Sequence, residues 1–188
     1  MAKDMTNRIM DSICDSISDN TAIVDVGFGN TILAETIFSQ KKGCTYIGVD
    51  TNSKTVEAAT KEYADNQQAR FFLGEIDSLP SLKADIIVWS RIFHHLDLAQ
   101  ARKQFDSMRN ILKDNGKIII VDSIRDYCGR ENRYSYTPIF FINEMSRAFE
   151  TERNRIVYSD RNNISVNQFW KLVITKGQEE FYTEIKTI

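Results

Sequence analysis

Two glycines within residues 22–35, AIVDVGFGNTILAE, constrain the fold more than any other stretch. Small or β-favouring residues run into Asp25, a Gly-Phe-Gly turn follows, and apolar residues then recur at helical spacing, which predicts a strand, a tight loop and a helix. Gly27 and Gly29 can adopt backbone angles closed to other residues and carry no Cβ, so a ligand can approach the backbone. The helix, expected to start near residues 30–31, points unpaired N–H groups at the same place, which suits a polar ligand.

The length and composition of the chain favour one domain over residues 1–188, because 188 residues with 42% hydrophobic content are enough to bury a core. The net charge of −2 gives no electrostatic reason to bind nucleic acid or an acidic membrane surface. Cys14, Cys44 and Cys128 make no paired spacing, so we predict neither a disulfide framework nor a metal site. The sequence shows no apolar run of bilayer length and no apolar leader. We therefore expect a cytoplasmic protein with no membrane partner.

Helical and extended patterns alternate along the first two thirds of the chain. Apolar residues every four positions predict an amphipathic N-terminal helix over residues 3–18. A helix is also predicted from Asp97 to residues 115–116, where an Asn-Gly pair suits a helix end. The predicted strands lie at residues 22–26, 44–50, 70–73, 84–90 and 117–122. This alternation with short connections predicts a parallel sheet covered by helices on both faces.

The last third has a different pattern. Residues 123–137 form a long polar and aromatic stretch that we predict to be a substrate loop, followed by a helix over 138–149. Two strands are predicted at residues 155–159 and 168–175. Because the connection between them is too short for a crossover helix, we expect an antiparallel hairpin.

Polar residues are expected to gather at one edge of this sheet, because open parallel sheets bind ligands at the carboxyl ends of their strands. The groups at those ends are residues 27–30, Asp50, Glu75, residues 90–95 and residues 122–125. Asp50 ends the second strand, where a carboxylate can accept hydrogen bonds from both hydroxyls of a ribose. The alternative for Asp50 is an exposed acid that caps the next helix.

The loop sequence also bears on which nucleotide is bound. Ile32 stands where the dinucleotide fingerprint G-x-G-x-x-G requires a glycine, which argues against a pyrophosphate ligand. Asp25, two residues before the first glycine, would repel a phosphate but attract an ammonium or a sulfonium. The loop therefore favours a nucleoside ligand that carries positive charge.

The stretch IVDVGFGNT resembles the first motif of the class I S-adenosylmethionine-dependent methyltransferases, acid-x-Gly-x-Gly-x-Gly, with Thr31 at the third glycine. Further stretches resemble the family's later segments in the family's order, namely YIGVD, FLGEIDSLP, ADIIVWSRIFHHL, LKDNGKIIIVD and the reversed last strand FWKLVITK. Together they cover most of the chain. The resemblance implies a Rossmann-like, doubly wound, three-layer α/β/α fold with a seven-stranded sheet, mostly parallel with an antiparallel last strand.

The resemblance also implies roles in binding S-adenosylmethionine. It places Asp25 and the backbone of residues 27–29 around the methionine part, Asp50 on the ribose, and Glu75 with Ile76 at the adenine. The cofactor-binding residues that we predict are Asp25, Val26, Gly27, Phe28, Gly29, Asn30, Asp50, Thr51, Glu75, Ile76, Ser90, Arg91 and His95.

His94 is the candidate catalytic residue, because it follows the fourth strand and faces the expected site. Two roles stay open for it: a proton acceptor, or a residue that positions substrate or packs. The predicted substrate-binding residues are His94, Arg125, Tyr127 and Tyr134. Guanidinium groups of the substrate loop can bind a carboxylate or phosphate while its rings pack on an apolar body. The alternative is a solvated loop whose tyrosines pack on the following helix.

The sequence therefore predicts methyl transfer from S-adenosylmethionine to an oxygen or nitrogen atom of a small molecule. A non-catalytic S-adenosylmethionine-binding module stays open, because Thr31 and Glu75 depart from the family pattern. An RNA or protein methyltransferase is the other alternative, although no basic surface or recognition domain is evident from the sequence. The sequence indicates no oligomeric state.

Overall fold

A doubly wound sheet organises the chain in a computed structural model that describes residues 2–79, 82–123, 155–158, 169–176 and 181–187. The helices of this described part are α1 (Ala2–Cys14), α2 (Ile32–Gln40), α3 (Ser53–Glu62) and α4 (Leu98–Ile111). Its strands are β1 (Ala22–Val26), β2 (Thr45–Asp50), β3 (Ala69–Leu73), β4 (Ala84–Ser90), β5 (Leu112–Ser123), β6 (Arg155–Tyr158), β7 (Phe169–Lys176) and β8 (Phe181–Thr187). Two short 3₁₀ turns lie at Ile76–Ser78 and Phe93–His95.

The strand order is β3-β2-β1-β4-β5-β7-β8-β6. The five strands β3, β2, β1, β4 and β5 pair in parallel, whereas β7 runs antiparallel to both of its neighbours, β5 and β8. The predicted Rossmann-like sheet, mostly parallel with a reversed strand at FWKLVITK, is therefore confirmed. The chain leaves β1 toward β2 and β3 and then returns to β4 on the other side of β1, so strand order reverses between β1 and β4.

The pairing at the end of the sheet differs from the prediction. The described residues form eight strands rather than seven, and the predicted hairpin between 155–159 and 168–175 is wrong, because β6 pairs in parallel with β8. Only four residues separate β7 from β8, whereas ten separate β6 from β7. The shorter connection makes β7 and β8 the hairpin, and β5 covers the other edge of β7.

Two predicted helix ends also differ. Helix α1 ends at Cys14, four residues before the predicted end, and α4 ends at Ile111 rather than near the Asn-Gly pair at 115–116. That pair lies in a bulge of β5, because Leu112 pairs with Ala84 while Lys117 pairs with Ile86 two residues later. Asn115 has a φ of 62°, a left-handed conformation that suits the bulge as well as a helix end.

Helices cover both faces of the sheet. Alternate residues of the central strands point to opposite faces, so β4 is buried over almost its whole length. On one face α1 and α2 pack against Ile23, Tyr46 and Val88. On the other face α4 packs against Val24 and Trp89. This three-layer arrangement holds the carboxyl ends of β1, β2, β4 and β5 along one edge.

The predicted substrate loop lies outside the described residues from position 124 onward, as does the predicted helix over 138–149. Both stay predictions, as does the single domain over residues 1–188. None of the helices in the described ranges combines the length and apolar content needed to cross a bilayer.

A capping box starts α4 and thereby anchors the turn that carries His94. The Asp97 carboxylate accepts the N–H of Gln100 at 2.8 Å, and the Gln100 side chain accepts the N–H of Asp97 at 3.0 Å. We expect Asp97→Ala to lower the free energy of unfolding by about 1 kcal/mol. Urea unfolding measures this change. The matched variant Asp106→Ala, on the exposed surface of the same helix, should change it by less than about 0.5 kcal/mol, and equal losses would contradict the capping role.

Candidate functional site

The site lies where strand order reverses, between the carboxyl ends of β1 and β4. Asp25 of β1 is in register with Val88 of β4 and with Gly48 of β2, so the loops that follow these strands leave the sheet side by side. Because ligands bind at such switch points in open α/β sheets, the topology alone marks this edge as a binding crevice.

The glycine loop after β1 has the backbone that the sequence predicts. Gly27 and Gly29 have φ values of 65° and 60°, which L side chains rarely adopt. A Cβ at Gly27 would lie 2.5 Å from Cδ1 of Ile92, whereas a Cβ at Gly29 would meet nothing closer than 3.8 Å. The loop therefore packs tightly against the segment after β4 at Gly27 and has open space at Gly29.

Phe28 and Val26 are buried and serve packing. The Phe28 ring lies 5.1 Å from the Phe71 ring, and both fill the space beside Gly48, where a Cβ would come within 2.8 Å of each ring. Val26 packs in the core on the α4 face of the sheet. Only the backbone of these two predicted cofactor-binding residues is left to face a ligand.

The start of α2 is held by polar side chains. The Asn30 amide oxygen accepts the N–H of Ile32 at 3.2 Å, and Thr31 occupies the N-cap position. The Thr31 hydroxyl donates to Glu62 at the end of α3, at 3.0 Å. Where the resembled family has its third glycine, this chain therefore has a residue that ties two helices together.

Asp50 joins the end of β2 to the glycine loop. One carboxylate oxygen accepts the N–H of Gly29 and the other accepts the N–H of Asn52, each at 2.9 Å. The cap of α3 is the side chain of Asn52. The alternative assignment of Asp50 as the helix cap is therefore wrong. Thr51 lies exposed between Asp50 and this cap.

Asp25 is a buried acid whose partner was not predicted. Its carboxylate accepts a hydrogen bond of 2.6 Å from the hydroxyl of Tyr46 on the neighbouring strand. Burial raises the pKa of Asp25 to about 7, although the Tyr46 hydrogen bond and the charge of Arg91 act in the opposite direction. Burial and the nearby Asp25 carboxylate raise the pKa of Tyr46 well above its usual value, so the hydroxyl remains a donor.

Glu75 and Ile76, the residues predicted to contact the adenine, differ from each other in exposure. Glu75 is exposed, and its carboxylate lies 3.2 Å from Nζ of Lys103, which also binds Asp77 at 3.0 Å. The Ile76 side chain is buried in the core. Only the backbone of Ile76 is left for an adenine contact.

The segment after β4 closes the other side of the crevice. Ser90 ends the strand, and its hydroxyl oxygen is buried with no hydrogen-bond partner among the described residues. Arg91 has a φ of 59°, and its N–H donates to the carbonyl of Val121 at 2.7 Å. This left-handed residue turns the chain sharply, which brings Ile92 onto Gly27.

The side chain of Asp122 holds His94 in place. Asp122 lies near the carboxyl end of β5, at the same edge of the sheet, and is not one of the predicted binding or catalytic residues. Asp122 accepts the backbone N–H of His94 at 3.1 Å and contacts Nδ1 of its ring at 2.7 Å. His95 is exposed, with its ring centroid 4.1 Å from that of His94. The signal for Asp122 was its position at the end of the fifth strand.

The remaining predicted substrate residues, Arg125, Tyr127 and Tyr134, lie outside the described residues. No group of three or more His, Cys, Asp or Glu side chains suited to a metal ion occurs in the part of the chain that is described.

A doubly wound sheet with a glycine loop at its switch point defines a Rossmann-like fold, a class in which nucleotides commonly bind at that point. The profile of the methyltransferase domain family matches residues 23–116, which is half of the chain. The chain therefore belongs to the methyltransferase domain family. The predicted family is confirmed, and this assignment supports S-adenosylmethionine as the cofactor.

One relative by sequence agrees with this assignment, and two solved structures share the fold. An uncharacterized methyltransferase from Alkaliphilus oremlandii is 31% identical over 120 residues, covering 61% of this chain and 52% of that protein. A candidate O-methyltransferase from Nostoc punctiforme shares the fold with a TM-score of 0.70 at 15% identity, over 92% of this chain and 57% of that one. Coclaurine N-methyltransferase, solved with N-methylheliamine and S-adenosylhomocysteine, gives a TM-score of 0.56 at 18% identity. The match covers 62% of this chain and 35% of that one. The chain thus spans about half the length of the curated relative it matches.

Proposed function

We propose that the protein transfers a methyl group from S-adenosylmethionine to an oxygen or nitrogen atom of a small molecule. The observation that carries the proposal is the junction at the switch point, where the Asp50 carboxylate holds the N–H of Gly29 beside the buried acid Asp25. Asp50 suits a ribose, and Asp25, two residues before the first glycine, suits a positively charged group and would repel a pyrophosphate. The cytoplasmic location predicted from the sequence belongs to this proposal.

The residues of the crevice fit this cofactor chemically. The buried hydroxyl of Ser90 has no hydrogen-bond partner in the described part of the chain, and a bound polar ligand can supply one. Asp25 suits the cationic methionine part. Asp50 already accepts two backbone N–H groups, but an ionised carboxylate has about four lone-pair sites, so it can also accept ribose hydroxyls. When bound, the cofactor supplies an activated methyl group on a sulfonium.

The contribution of the protein is then mainly alignment. Holding an acceptor in line and excluding water is worth about 7 to 11 kcal/mol in ideal intramolecular cases. The rigid elements that provide this alignment are the glycine loop, fixed by Gly27 against Ile92, and the turn after β4, fixed by Arg91 and Asp122. Glu75, whose exposed carboxylate pairs with Lys103, stays with the backbone of Ile76 in the proposed adenine contact.

Calorimetry tests the cofactor directly. We expect S-adenosylmethionine and S-adenosylhomocysteine to bind, with no measurable heat from NADH under the same conditions. Binding of NADH alone would overturn the proposal. Binding of S-adenosylmethionine without transfer to any acceptor in a broad panel would support the non-catalytic module instead.

The ribose role of Asp50 makes a separate prediction. Asp50→Asn should weaken binding of S-adenosylhomocysteine by roughly 10- to 150-fold, because a charge-assisted hydrogen bond contributes roughly 1.5 to 3 kcal/mol. The loss should shrink for the analogue that lacks the ribose 2′-hydroxyl, since the contact is then already absent. Calorimetry on both ligands gives this difference. Asp65→Asn, at an exposed acid after α3, is the control and should bind both ligands as the wild type does. Equal losses on both ligands would mean that Asp50 only supports the glycine loop.

A further inference from the structure

The pair formed by His94 and Asp122 combines a partly exposed base with a buried acid. The Asp122 side chain is 2% exposed and the His94 side chain 18%. One Asp122 oxygen lies 2.7 Å from Nδ1 of His94, and the other accepts the backbone N–H of the same residue at 3.1 Å. Two contacts from one carboxylate fix both the position of the residue and the orientation of its ring.

The chemistry of the pair determines which ring nitrogen carries the proton. A carboxylate without a proton only accepts hydrogen bonds, so in that form of the pair Nδ1 is the donor to Asp122. In the neutral ring the lone pair then lies on Nε2. A histidine in free solution has no such constraint, and the hydrogen bond to one nitrogen is what selects the tautomer.

The pair also lies at the site and not elsewhere on the sheet. His94 belongs to the 3₁₀ turn that follows β4, and Asp122 lies near the end of β5, beside β4 in the sheet. Ile92, the residue immediately before this turn, contacts the glycine loop at Gly27. His94 is therefore two residues from a side chain that touches the proposed cofactor loop.

We propose that His94 is the proton acceptor of the reaction and that Asp122 is its positioning residue, so that the methyl acceptor reacts through an O–H or N–H group. This inference rests on the proposed function. The acceptor atom forms a bond to the methyl carbon while the carbon–sulfur bond breaks with its electron pair left on sulfur. The proton of the acceptor passes to Nε2 of His94 and from there to water, which balances the reaction without another reactant.

The tautomer can be measured without any methyl acceptor. The chain has only two histidines, so ¹⁵N-resolved NMR of the rings can assign both. With the ring neutral, we expect His94 to be protonated at Nδ1 in the wild type and to lose this preference in Asp122→Asn. The matched variant Asp106→Asn, at an exposed acid on α4, should leave the spectrum unchanged. A wild-type His94 protonated at Nε2 would overturn the inference.

The activity test uses probe acceptors of different acidity. We expect His94→Gln and Asp122→Asn to slow methylation of a phenol with a pKa of about 10 by roughly 100-fold, a typical general-base effect. An electron-poor phenol that is already ionised at the assay pH needs no base, so its rate should fall by less than about three-fold. Equal losses on both phenols would show that the pair only supports the fold, and would overturn the inference.

Failure of this inference and failure of the proposed function are distinguishable. If the wild type binds S-adenosylmethionine but methylates no hydroxyl or amine probe, the role of His94 as proton acceptor is overturned while the cofactor stands. If S-adenosylmethionine does not bind, the proposed function fails, and the NMR measurement still tests the pair.

Discussion

Replacing Gly27 by alanine is expected to lower the free energy of unfolding by about 2 to 4 kcal/mol. A left-handed backbone costs an L residue roughly 1 to 2 kcal/mol, and an added methyl group in a packed region costs about 1 to 3 kcal/mol. Both costs apply here, because Gly27 has a φ of 65° and its Cβ would lie 2.5 and 2.8 Å from two carbons of Ile92. Urea or thermal unfolding would measure the loss. In a chain of this size we expect a fall in Tm of roughly 4 to 15 °C.

Gly29 provides the matched control, since its φ is 60° but its Cβ would meet no heavy atom closer than 3.8 Å. Gly29→Ala should therefore lose only the backbone cost of about 1 to 2 kcal/mol. Under the proposed function the same methyl group stands in the open space where the cofactor approaches the backbone, so calorimetry should show a clear loss of S-adenosylhomocysteine affinity. Equal destabilisation by the two variants would mean that the contact between Gly27 and Ile92 carries no energetic weight.

The glycine loop shows which parts of the fold could be predicted from the sequence. The strand, turn and helix of residues 22–35 follow from local preferences, because left-handed glycines and helical spacing act within a few residues. The strand at 181–187 was missed, and with it the pairing of β6, because the choice of sheet neighbour depends on connections that compete with one another. The Asn-Gly pair at 115–116 predicts a helix end, but a strand bulge uses a left-handed residue in the same way, so the local pattern does not distinguish the two.

The sequence predicts the site residues that lie at strand ends. It does not predict the contacts that depend on the register between neighbouring strands. Asp50 ends β2 and His94 lies in the turn after β4, so their positions at the crevice follow from the topology. The bond between Tyr46 and Asp25 requires that Asp25 be in register with Gly48, which places Tyr46 diagonally across on the same face of the sheet. A one-residue shift would point Tyr46 to the other face. No local pattern determines that register.

Because Asp25 is buried away from water, the stability of the ligand-free protein should depend on pH. Burial raises the pKa of Asp25 from 3.8 to about 7, so the folded state retains a proton that the unfolded state releases between these values. Stability from this group is therefore present below pH 4 and is lost as pH rises through 7. Relative to Asp25→Asn, which cannot ionise, the wild type should lose about 2 kcal/mol of unfolding free energy between pH 5 and 7. Urea unfolding of both variants at these two pH values measures this difference, and parallel curves would contradict it.

In the folded protein burial favours the protonated form of Asp25. A cationic ligand beside Asp25 should instead favour the ionised form, because opposite charges attract strongly where water is excluded. If only that form binds, the pKa of about 7 for Asp25 makes the affinity for S-adenosylmethionine rise roughly thirty-fold between pH 5.5 and 8. Calorimetry across this range measures the rise, and Asp25→Asn should bind more weakly with an affinity that does not change with pH. S-adenosylhomocysteine lacks the sulfonium charge but keeps the ammonium group. If its affinity rises as steeply, Asp25 faces the ammonium group, and if its affinity is flat, Asp25 faces the sulfonium. If the affinity for both ligands does not change with pH, Asp25 does not contact the cofactor, and its role is to accept the buried hydrogen bond from Tyr46.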